Sequence, residues 1–120
     1  MDIKTEKKIV RLIIDLGIST SVKGYIYIIE AIKICKDLKI SNLYLSKDLY
    51  PKIAEKYGTS SASVERAIRH AISTGWSHHN SARSAEVFGN IICNDKDIPS
   101  NAIFISAVSE WVRLNLPDDQ

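Results

Sequence analysis

Ser63, Glu65, Arg66, Arg69, His70 and Ser73 recur at spacings that gather them on one side of a helix turning about 100° per residue. Val64, Ala67, Ile68, Ala71 and Ile72 fall on the opposite arc, a stripe about 140° wide that suits burial. The polar arc has the chemistry to read base edges. Arginine donates bidentately to guanine O6 and N7, a carboxylate accepts from cytosine N4, and hydroxyls or free helix-terminal amides suit phosphates. Glu65 is the informative member, because a surface built only for phosphate would exclude a carboxylate. Flanked by Arg66 and Arg69, it suggests sequence readout and can also orient a neighbouring guanidinium. Taken alone, the same stripe is better described as a solvated helix face carrying a Glu65–Arg69 pair one turn apart.

The preceding residues shift that balance. Tyr50–Tyr57, the turn Gly58-Thr59-Ser60 and Ser61–Gly75 outline two helices joined by a tight glycine-containing turn, a helix-turn-helix over about 49–76. Pro51 stands where a first helical turn tolerates a missing N–H, and Gly58 stands just past the helix end. Ala54 is small where a crossing helix must come close, and Val64 with Ile68 can pack on Ile53. Ser60 and Ser61 open the second helix with hydroxyls able to cap its free amides.

The rest of the chain reads as scaffold. Ile9, Leu12, Ile13 and Leu16 keep helical period and are followed by Gly17, so a first helix ends near Leu16. Tyr25, Ile28, Ile29, Ile32 and Cys35 repeat the pattern, and the added Ile26 and Ile34 predict a helix central to the core. A polar connection covers 39–46, a weaker helix covers Ser81–Phe88, and a last helix runs from about Ser100 through Phe104, Ala107, Val108 and Trp111 to Leu114. Pro117-Asp118-Asp119 reads as a frayed tail. With no linker, repeat or low-complexity stretch, residues 1–120 read as one all-α domain of about six helices.

Bulk properties agree with an ordinary globular domain: 45% of the 120 residues are hydrophobic and 25% charged. A net charge of +2 means that any affinity for phosphate depends on where the charges sit. Cys35 and Cys93 lie far apart in apolar surroundings and read as reduced core residues. No run approaches the length needed to span a bilayer, and 1–8 leads into an amphipathic pattern rather than a signal peptide, which predicts a cytoplasmic protein with no membrane role. His70, His78 and His79 lack zinc-site spacing, no nucleophile or phosphate-loop motif surrounds Ser77 or the cysteines, and the five glycines are scattered; neither metal, cofactor nor enzyme activity is expected. Trp76, Trp111, Phe88, Phe104 and Tyr25 read as core anchors, while Lys23-Gly24 could bring a backbone amide toward phosphate.

The run Val64-Glu65-Arg66-Ala67-Ile68-Arg69-His70-Ala71-Ile72, preceded by Leu49-Tyr50-Pro51 and Ile53-Ala54, closely resembles the C-terminal DNA-binding domain of the stage-zero sporulation response regulator family. Lys23-Gly24-Tyr25, Trp76-Ser77, Phe88-Gly89 and Pro99-Ser100-Asn101 with Phe104-Ile105 follow in the family's order, so the resemblance covers nearly the whole chain. It implies a six-helix fold and a transcription regulator that binds TGTCGAA-like boxes in double-stranded DNA. Head-to-tail homodimers on tandem boxes and contact with an RNA polymerase sigma factor are also implied. Carried over by position, Glu65, Arg66 and Arg69 would read bases, and Lys23, Lys47, Ser60, Ser61, Ser63 and His70 would lie near the backbone or flanking bases.

Three departures matter. Ser63 stands where the family usually has arginine, His78-His79 replaces Arg-Gly, and Lys96-Asp97-Ile98 replaces a lysine pair. Each removes or offsets positive charge, predicting lower affinity, and the second falls in the region 77–89 that the resemblance links to sigma contact. The family's receiver domain is absent from this sequence. The alternative reading is a helical protein-interaction module that has kept the fold but lost strong DNA binding.

Overall fold

The computed structural model describes residues 1–38, 45–89 and 97–116. Among these, six α-helices follow one another: α1 (Ile3–Asp15), α2 (Lys23–Leu38), α3 (Tyr50–Tyr57), α4 (Ser61–Gly75), α5 (Ser81–Phe88) and α6 (Asn101–Asn115), with no strand. Short-range chemistry starts most of them. Asp2, Ser60, Asn80 and Ser100 each accept a hydrogen bond from the backbone N–H three residues on, occupying one of the free donors of the first turn.

One segment differs from the sequence reading. The polar connection was expected to reach Ser46, but a π-helical turn already occupies Leu45–Leu49 and runs directly into α3. Pro51 has no N–H to offer the carbonyl four residues back, so the α-helical ladder cannot run straight through it. The wider turn ahead still buries Leu49 completely. The expected connection at 39–44, Cys93, Lys96 and the tail from Pro117 lie outside the described residues.

The core is a continuous apolar cluster from every helix, with Leu12, Ile28, Ile32, Ile53, Val64, Ile68, Phe104 and Val108 fully shielded from solvent. Helix α2 is its hub and packs on α4 and α6. An aromatic chain continues it: Trp76 meets Phe88 edge-on at 5.6 Å between centroids, and Phe88 lies 5.8 Å from Phe104. These three rings are the expected core anchors, but Trp111 and Tyr25 are only half-buried. The Arg83 guanidinium covers the Trp111 ring at 5.2 Å, which lets an amphipathic ring finish a helix face at the core's edge. Cys35 is likewise half-buried and free, and burial raises its thiol pKa.

Candidate nucleic-acid interface

Helices α3 and α4 are joined by a tightly hydrogen-bonded turn. Gly58 adopts φ 64°, a left-handed conformation that glycine takes without steric cost. Its N–H points to the Glu55 carbonyl at 3.5 Å, and Thr59 N–H donates to the Ala54 carbonyl at 2.9 Å. This double closure ends α3, and Ser60 then starts α4, its Oγ accepting from Ser63 N–H at 3.1 Å. Two residues therefore separate one helix's last carbonyls from the next helix's cap.

Four of the five residues of the apolar arc of α4, Val64, Ile68, Ala71 and Ile72, are buried, and Ala67 is half-buried against the core; Ile53 and Ala54 are buried on α3. Gly24 of α2 meets the same helix from another side; a Cβ there would lie 2.2 Å from the Ala67 carbonyl oxygen. That close approach is a packing reason for a glycine beside Lys23, since Gly24 is itself buried.

On the opposite side Arg66, Arg69, His70 and Ser73 are exposed, and Glu65 and Ser63 are half-buried. Arg69 Nη1 donates to Glu65 Oε1 at 2.8 Å, so the carboxylate holds this guanidinium while leaving other donors of its fork free. Arg66 forms no ion pair among the described residues. His70 contributes its carbonyl locally, accepting from Thr74 Oγ1 at 2.7 Å and Ser73 Oγ at 3.2 Å, and its ring stays at the surface.

Ser60, Ser61 and Ser63 cluster at the start of the same helix, and Ser60 Oγ donates to Ser63 Oγ at 3.0 Å. Ser63 is thus occupied in the cap and too short to reach far beyond it. Glu65, Arg66, Arg69 and His70 therefore share one face with the serines at its N-terminal end. Lys47 stands apart on the π turn ahead of α3, and Lys23 opens α2; both are exposed.

The sequence reading gave Asn101 no role of its own, and missed its contact with α4. Its Nδ2 donates to Tyr50 Oη at 3.0 Å and to the backbone carbonyl of Glu65 at 3.1 Å. Tyr50 is buried, and burial raises the pKa of its phenol, with the Asn101 hydrogen bond opposing and the charges of Glu65 and Arg69 also felt. No local periodicity signals this link; the nearest sequence cue was Ser100-Asn101 as a helix start.

No group of three or more His, Cys, Asp or Glu side chains is placed to hold a metal among the described residues. His79 stacks on Trp76 at 4.2 Å between centroids and shares a 2.6 Å hydrogen bond with Ser84 Oγ, whereas His78 is exposed. Among the described residues no helix is long and apolar enough to cross a membrane. A family model described as sporulation initiation factor Spo0A C terminal matches residues 9–112.

Proposed function

The chain belongs to the Spo0A C-terminal family of DNA-binding regulatory domains, and on that premise we infer that it reads TGTCGAA-like boxes with the exposed face of α4 in the major groove. The observation that carries this reading is the sidedness of α4: Arg66 and Arg69 project to solvent while Val64, Ile68 and Ile72 anchor the other side in the core. A rigid, one-sided helix presenting guanidinium groups suits a groove that admits one helix.

In this reading Glu65, Arg66 and Arg69 read bases. Glu65 either accepts from a cytosine N4 or, through its 2.8 Å bond, aims Arg69 at a guanine. Ser60, Ser61, Ser63, His70, Lys47 and Lys23 serve the backbone or flanking bases, with the α4 N-terminus adding amides that favour phosphate. Residues 1–120 act as one effector domain that regulates transcription without catalysis, in the cytoplasm. Two copies bind head to tail on tandem boxes, and the surface at 77–89 meets an RNA polymerase sigma factor.

Titration of a TGTCGAA duplex and a scrambled duplex of equal length at one fixed salt concentration tests the reading. Tighter binding to the box is expected; equal affinities would remove sequence readout, and loss of all salt-dependent binding would favour a protein-interaction module.

A further inference from the structure

Asn101 is the first residue of α6, yet its side chain ties together the two helices of the helix-turn-helix. One Nδ2 reaches Tyr50 Oη, at the start of α3, and the Glu65 carbonyl, in the second turn of α4. In helical geometry that carbonyl also accepts the N–H of the residue four positions on, Arg69, so Asn101 uses its remaining lone pair. The bond therefore grips α4 at the peptide unit shared by two proposed base readers.

The apolar side-chain anchors of α4 differ in kind. Val64, Ile68 and Ile72 are buried by contacts that are strong but non-directional, and such contacts tolerate small rotations about the helix axis. A hydrogen bond is restricted in distance and angle. An amide bonded to both helices fixes how far α4 is turned relative to α3 and α6. Bidentate base contacts demand that accuracy, whereas contacts to phosphate tolerate error.

Resting on the reading of α4 given above, we propose that Asn101 is a positioning residue for DNA sequence readout, its paired hydrogen bonds to Tyr50 and Glu65 setting the rotation at which Arg66 and Arg69 meet base edges. It does not touch DNA in this role.

Asn101→Asp tests it most cleanly. The substitution is nearly isosteric and places a carboxylate at a helix N-terminus, where negative charge is favoured, but a carboxylate cannot donate to the Glu65 carbonyl. Asn101→Ala, which adds no charge, is the companion variant. Both are titrated with the TGTCGAA and scrambled duplexes, and the orientation of α4 relative to α6 is measured in the free proteins by residual dipolar couplings. The expected result is a reoriented α4 and a specific-to-scrambled affinity ratio lowered about tenfold, the equivalent of about 1.4 kcal/mol, in variants that still unfold cooperatively. An unchanged ratio in either folded variant, or an equal loss on both duplexes, overturns the proposal. Should the wild-type chain itself fail to discriminate, the box reading fails separately; the couplings still decide whether Asn101 sets α4, and an unmoved α4 overturns that too.

Discussion

Gly24 and Ala67 bring the backbones of α2 and α4 into direct contact: a Cβ at Gly24 would stand 2.2 Å from the Ala67 carbonyl oxygen and 2.6 Å from Ala71 Cβ. The proposed reading helix is thus braced at mid-length by the hub of the core, through atoms that cannot yield without moving a helix. Together with the Asn101 link to Glu65 at 3.1 Å, α4 is held both by packing and by a directed bond.

Gly24→Ala should destabilise the fold even though alanine is the better helix former by about 1 kcal/mol. Forcing a methyl against packed backbone costs about 1–3 kcal/mol or more, and here the obstacle is a carbonyl rather than a flexible side chain. Urea unfolding should show a lowered midpoint; an unchanged or raised one would mean that the two helices are not in this contact.

Ser60→Ala removes the oxygen that accepts from Ser63 N–H at 3.1 Å. Loss of such a cap costs about 1 kcal/mol, and a thermal melt of the free protein should show it. Replacement by aspartate should retain most of the stability, because a carboxylate can accept the same bond and suits the helix dipole.

Ser63→Arg restores a long cation at the edge of the α4 face. One additional phosphate contact should tighten binding to box and scrambled DNA alike and steepen the dependence of log affinity on log salt by about 1. A base contact would instead show as tighter binding to the box alone. No change on either duplex would place position 63 away from the DNA.

Tyr50 supplies a pH dependence. Burial raises its phenol pKa above the ordinary 10.0, so the folded chain holds this proton more tightly than the unfolded chain does. The stability it confers is complete below the ordinary value and is lost as pH rises through and beyond it. Thermal midpoints taken from about pH 9 to about pH 11 should fall more steeply for the wild type than for Tyr50→Phe. Parallel slopes would mean that the phenol is equally hydrated in both states.

What the sequence disclosed and what it withheld divide along physical lines. The helix-turn-helix was legible because Pro51, Gly58 and Ser60 punctuate the chain locally and the apolar period of Val64, Ile68 and Ile72 marks the buried side of α4. Ser100 was legible as a cap for the same reason. Asn101 was not, because its partners lie 51 and 36 residues away in sequence and an amide carries no periodic signal. Trp111 has the same helical period as Phe104, yet only packing reveals that it closes the core's rim beneath Arg83. The π turn at Leu45–Leu49 also escaped notice, since a polar segment before a proline reads as a connection.

Whether α4 reads sequence is decided by Arg69→Ala. Arg69 is exposed and meets the half-buried Glu65 at the protein surface, so its loss should leave folding nearly unchanged. Affinity for the TGTCGAA duplex should fall by about 1–3 kcal/mol while that for a scrambled duplex falls far less. An equal loss on both would make Arg69 a backbone contact and leave α4 without the base readout assigned to it.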